Sequence, residues 1–204
     1  FFGGLPAEMG GDLTKAEQYT RELESANSIA GAKAREILMS EDADYVAFWN
    51  SIIQENPENT DAHQALGRVY LFNGDFKQAE KQYKKAIQLD ANKNALYLDL
   101  GRYFVMQAMQ NQDVLDSLAP LAEEQFNKYL NANPKPVQPM KAWTYGSMAM
   151  IGRRAGNKEQ AAKNIEMAKA LDPFFTPAFG KPYGGLFTPP EAIIHFQTYY
   201  LSPF

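Results

Sequence analysis

The chain has 204 residues, 45% of them hydrophobic, which is enough to bury a sizeable core. Twenty-four acidic against twenty basic side chains leave a net charge of -4, spread evenly, so the basic stripe of a nucleic-acid binder is missing. Cysteine is absent, which excludes disulfides, thiolate zinc sites and cysteine nucleophiles together.

The chain opens Phe1-Phe2-Gly3-Gly4, without Met and without the basic start and apolar stretch of a signal peptide, so a processed or trimmed start is expected. Gly11-Asp12-Leu13-Thr14-Lys15-Ala16 follows. Its Gly can end one helix in a left-handed conformation, its Asp can cap the next, and its Ala lets two helices pack closely. This predicts a helix over 12–26, the second half of a repeat whose first helix is absent. Helices then follow from Ile29 to Met39 and through Tyr45, Trp49 and Ile52 to a repeat end at Asn56-Pro57. Residues 1–57 are thus read as a degenerate N-terminal region, with the half repeat 12–26 and one helix pair over 28–56.

From residue 60 the pattern sharpens. Leu66, Gly67 and Tyr70 mark a first helix, with Gly67 allowing close backbone approach. The punctuation returns as Gly74-Asp75-Phe76-Lys77-Gln78-Ala79 and again as Gly156-Asn157-Lys158-Glu159-Gln160-Ala161. After each, apolar residues recur four and seven positions beyond the Ala, at Tyr83 and Ala86 and at Ile165 and Ala168, on one helical face. Three series run in register: Ala79, Ala122, Ala161; Tyr83, Phe126, Ile165; and Ala91, Pro134, Pro173, each stepping by 43 and then 39.

These residues resemble the tetratricopeptide repeat, a unit of about 34 residues with Leu-Gly-x-x-Tyr in its first helix and Ala-x-x-x-Phe-x-x-Ala in its second. The likeness is strong over about 60–175, fair over 12–57 and absent beyond. It implies an all-α fold, a right-handed superhelical solenoid of antiparallel helix pairs. The repeats fall at about 60–93, 94–136 and 140–175 within a domain 58–175. The middle one carries nine extra residues between Phe104 and Phe126, which lengthen its helices or form a loop. The prolines of 134–139 favour an extended link and a local break in stacking. Departures from the pattern are Ala91 where Pro is usual, Tyr129 where Ala is usual and Gly152 where Tyr is usual.

Beyond the repeats lies a C-terminal arm, 176–204, in a stretch where nine of the 31 residues from Phe174 to Phe204 are aromatic and Pro and Gly are frequent. Its first half is irregular, and Thr188-Pro189-Pro190-Glu191 opens a short helix to about Tyr200. Phe187, Phe196, Tyr199, Tyr200 and Phe204 either fold back as a cap on the last repeat or form a docking surface.

The resemblance also implies where a partner lies, along a concave groove lined by the first helices. Carried over residue by residue, the groove holds Gln64, Arg68, Phe72, Arg102, Met106, Trp143, Met150, Arg153 and Arg154. Arg68 and Arg102 would stack as a ladder and grip carboxylates with Arg153 and Arg154, or else pair with acids on adjacent helices. The subtype that clamps the C-terminal carboxylate of heat-shock chaperones uses Lys, Asn, Asn, Lys and Arg at positions that here hold Gln64, Arg68, Asp99, Trp143 and Ser147, so that clamp is not expected.

No catalytic residue, metal site or cofactor is expected. His63 and His195, the only histidines, read as structural, and neither has a ligand partner at helical spacing. No segment approaches the length of a membrane span, so direct membrane insertion is not expected. The expected role is a non-catalytic protein-interaction scaffold or accessory subunit that binds a protein or peptide. The alternative is a self-assembling structural subunit, a homo-oligomer or polymer joined through the open N-terminal face and the arm. A cysteine-free chain suits a bacterial periplasm or an extracellular, envelope setting, with the cytoplasm as the other choice.

Overall fold

A computed structural model describes residues 11–172; the expected arm and His195 lie outside the described residues. Among the described residues the chain is all-α, with nine α-helices: α1 (Leu13–Ala26), α2 (Ser28–Leu38), α3 (Tyr45–Glu55), α4 (Thr60–Phe72), α5 (Phe76–Leu89), α6 (Ala95–Gln110), α7 (Leu115–Leu130), α8 (Gln138–Arg154) and α9 (Lys158–Leu171). Short 3-10 turns at Ala91–Asn94 and Gln112–Val114 complete the path. Packing divides the helices into two units, α1–α5 and α6–α9.

In the first unit α1 packs on α2, α3 on α4 and α4 on α5, whereas α2 and α3 touch lightly. The reason for the first pairing is local. Asn27 alone joins α1 to α2, ending one and capping the other, and its Oδ1 accepts from the N–H groups of Ile29 and Ala30 at 3.1 Å each. A one-residue link folds the chain straight back, and Gly31 makes the close approach possible, since a Cβ there would sit 2.4 Å from the Cα of Glu24. The core of the unit gathers Ala32, Trp49, Ala62, Ala65, Leu66 and Val69, with Tyr45, Phe48, Ile52 and Tyr70 packed around them.

The α4–α5 hairpin shows how the punctuation works. Gly74 takes a left-handed φ of 76°, and the Asp75 N–H donates back to the Tyr70 carbonyl at 2.9 Å, closing α4. The Asp75 carboxylate then accepts from the Gln78 N–H at 3.1 Å and opens α5. Gly67 receives the ring of buried Tyr83 so tightly that a Cβ would lie 2.3 Å from its Cδ1.

In the second unit the nine extra residues lengthen the helices: α6 and α7 each run 16 residues, joined by a 3-10 turn. Gly101 lies under fully buried Phe126, with a built Cβ 2.4 Å from Cε1. The α8–α9 turn repeats the α4–α5 one, with Gly156 at φ 85° and the Asn157 N–H donating to the Gly152 carbonyl at 2.8 Å. Asn157 differs from Asp75 in making no side-chain cap. Pro139 falls in the first turn of α8, where a missing N–H costs nothing, so the proline link is shorter than 134–139. Helix α8 packs on both α6 and α7, and stacking continues where a local break was expected.

Candidate functional site

The residues singled out from the sequence fall into both units, and each has a local setting. On α4, Arg68 forms an ion pair with Glu36 of α2, and the same carboxylate accepts a hydrogen bond at 2.8 Å from the indole N–H of fully buried Trp49. Glu36 is therefore a hub that joins α2, α3 and α4, and Arg68 is half engaged by its own fold while 50% of its side chain stays in solvent. Gln64 is half-buried, and Phe72 at the end of α4 is 78% exposed. The buried His63 is structural: its ring nitrogens lie 2.7 Å from the Gln82 Oε1 and 3.0 Å from the Pro57 carbonyl, tying α4 to α5 and to the preceding loop.

In the second unit, Arg102 of α6 reaches Trp143 of α8. Its guanidinium carbon stands 4.9 Å from the ring centroid, a cation–π contact, and its Nη1 is 3.9 Å from the Asp99 carboxylate. Burial pushes the Asp99 carboxyl up to about 6 against the downward pull of Arg102. Tyr129 of α7 is pushed up to about 12 by burial and by the Asp99 charge. Met106 is exposed beside this group.

Further along the same two helices, Met109, Gly146, Ala149, Met150, Arg153 and Arg154, with Ile165 of α9, line an open pocket of about 330 Å³. Arg153 and Arg154 are solvent-facing and have no ion-pair partner among the described residues. Helices α6 and α8 carry Arg102, Lys141, Arg153 and Arg154 against the single acid Asp99, in a chain that is acidic as a whole. Met106, Met109 and Met150 lie exposed or half-buried on the same helices, adding soft, adaptable apolar surface beside the cations, whereas Met140 and Met148 are buried.

Arg102 and Trp143 thus meet in space, and Met150, Arg153 and Arg154 share one pocket, while Gln64, Arg68 and Phe72 belong to the other unit. Sequence reasoning missed Met109, which lies one turn beyond Met106 on the same helical stripe, and missed Glu36, whose role depends on Trp49 thirteen residues away. Neighbours on the same helices are closed to a partner: Leu71, Leu98 and Val105 are buried. Among the described residues there is no group of three or more His, Asp or Glu placed to hold a metal, and no helix long and apolar enough to cross a membrane.

Residues 47–102 match the tetratricopeptide repeat family. A stretch of 93 residues, 45% of the chain, is 33% identical to Heat shock protein STI1 of Saccharomyces cerevisiae (strain ATCC 204508 / S288c), of which it covers 16%. The chain therefore matches about a sixth of that relative's length.

Proposed function

We propose that this chain, which carries tetratricopeptide repeats, is a non-catalytic interaction scaffold or accessory subunit that holds an acidic, apolar peptide segment of a partner on the α6–α8 face. Protein–protein interaction is the general role of the repeat. The finer reading is carried by one observation: Arg153 and Arg154, which have no ion-pair partner among the described residues, flank a pocket walled by Met109, Met150 and Ile165. A guanidinium offers a planar fork that matches a carboxylate, and the methionines adapt to whatever apolar side chain comes with it. The Arg102–Trp143 pair extends the same chemistry along α6 and α8.

The likeness to Heat shock protein STI1 does not transfer a partner. The positions where a chaperone-clamp repeat would place Lys, Asn, Asn, Lys and Arg hold Gln64, Arg68, Asp99, Trp143 and Ser147. Of these, Ser147 is buried and donates to the Trp143 carbonyl at 3.1 Å, so it is unavailable to a ligand.

The test is a peptide array probed with the full chain and with Arg153→Glu/Arg154→Glu. Peptides that combine Asp or Glu with a large aliphatic residue should bind, weaken with salt and lose at least tenfold with the variant. Equal binding by the variant, or equal binding of Lys-substituted peptides, overturns the reading.

A further inference from the structure

A second site lies on the other side of α8, and its origin can be traced to one residue. The α4–α5 and α8–α9 turns superpose in hydrogen bonding: Asp75 N–H to Tyr70 carbonyl, and Asn157 N–H to Gly152 carbonyl. Gly152 therefore stands where the first repeat has Tyr70, packed against its core, and where the middle repeat has Phe104, which is 5% exposed. The third repeat lacks that ring, and a pocket of about 240 Å³ opens among α7, α8 and α9. Nothing crowds Gly152: a Cβ there would meet only the Ala161 Cβ and the Asn157 carbonyl, both at 3.8 Å.

The lining decides what the pocket accepts. Met148, Ile151, Gly152 and Ala155 supply an apolar wall, and Asp116 and Glu123, on one face of α7 and two turns or about 10 Å apart along its axis, supply two exposed carboxylates. Neither acid has an ion-pair partner among the described residues. Asn164 is 5% exposed, and its Oδ1 takes only a long bond of 3.4 Å from Gln160 Nε2, leaving capacity for a further donor. Pro120, also in the lining, has no N–H for the Asp116 carbonyl one turn earlier. The amides of Asn157, Gln160 and Asn164 can donate or accept, so the two carboxylates set the charge that the pocket prefers, beside an apolar wall.

We propose that this pocket receives an arginine side chain of a partner polypeptide. Its methylene stem lies on Met148, Ile151 and Gly152, and its guanidinium donates to Asp116, Glu123 and the Asn164 Oδ1. Arginine fits because it combines an apolar stem with five N–H donors in a rigid fork. The site is separate from the Arg153–Arg154 face and opposite in charge.

The probe is N-acetylarginine amide, titrated into the full chain while the Met148 methyl and Asn164 side-chain amide resonances are followed by NMR. N-acetylcitrulline amide, neutral and of the same shape, is the control. Saturable shifts with arginine are expected, at least tenfold weaker with citrulline, at least tenfold weaker in Asp116→Asn/Glu123→Gln, and absent in Gly152→Phe, which restores the ring. The double variant removes only surface charge, so it reports even if the Phe variant folds poorly. No saturable shift up to tens of millimolar, equal shifts with citrulline, or shifts that persist in a folded Gly152→Phe chain overturns the proposal. Because these variants leave Arg153 and Arg154 intact, the peptide-array result stands or falls separately.

Discussion

Gly101→Ala tests the packing of the second unit. In an exposed helix the change is favourable by about 1 kcal/mol, because Gly carries more backbone entropy into the fold. At Gly101 the added methyl would lie 2.4 Å from Cε1 and 2.6 Å from Cδ1 of Phe126. Carbon atoms rest about 3.5–4.0 Å apart, so the ring must retreat by roughly 1 Å. Phe126 is 0% exposed and has no solvent to swing into. Overpacking of this kind costs about 1–3 kcal/mol or more, which outweighs the propensity gain. The expected net effect is a loss of about 1–2 kcal/mol, a fall of a few degrees in the midpoint of a chain this size. Phe126→Ile alone leaves a cavity and costs about 2 kcal/mol. The pair Gly101→Ala/Phe126→Ile reproduces the Ala149 and Ile165 found at the same register in the third repeat. Its cost should fall short of the sum of the singles by about 1–2 kcal/mol. Urea and thermal melts followed by circular dichroism measure all four corners of the cycle. A Gly101→Ala chain more stable than its parent, or strict additivity, refutes the notch.

Glu36→Ala strands the Trp49 indole N–H in the core and should cost about 1–3 kcal/mol, while Arg68→Ala, which removes a half-exposed partner of the same carboxylate, should cost less than about 1 kcal/mol. Equal losses in urea melts refute the hub. Asp99 titrates from its ordinary 3.8 when unfolded to about 6 when folded, so the folded state binds the proton more tightly. Stability from this group is full below about pH 4 and is lost as pH rises through about 6. The full shift corresponds to about 3 kcal/mol, and with 30% of the side chain still exposed we expect about 1–2 kcal/mol. Asp99→Asn should recover that amount at pH 7 and flatten the stability profile between pH 4 and 6; an unchanged profile contradicts the shift.

The all-α repeat fold was legible because its signals are local. Gly74 and Gly156 take the left-handed turn their position requires, and Tyr83 and Phe126 fill the space left by a glycine on the facing helix. Pairing in the N-terminal part was not legible: the choice of α1 over α2's other neighbour is set by a one-residue link and by Gly31 against the Glu24 backbone, details that a degenerate motif does not carry. Asn157 reads like Asp75 but makes no cap, since residue type allows a hydrogen bond without compelling it. Of the groove residues, the exposed and charged ones were readable from repeat position. Whether a given arginine is internally paired depends on acids far off in the chain: Arg68 meets Glu36, 32 residues earlier, whereas Arg153 and Arg154 meet none among the described residues.

The glycine notches bear on how the chain avoids misassembly. Three similar hairpins in one polypeptide can exchange partners while they form. The third hairpin has Ala149 where the others have Gly67 and Gly101, and Ile165 where they have Tyr83 and Phe126. A methyl at 149 obstructs the ring of α5 or α7, and an isoleucine set over either glycine leaves a hole. Helix α9 is thereby matched to α8 and poorly matched to α4 or α6, a lock-and-ward arrangement written in two positions, one on each helix of the pair.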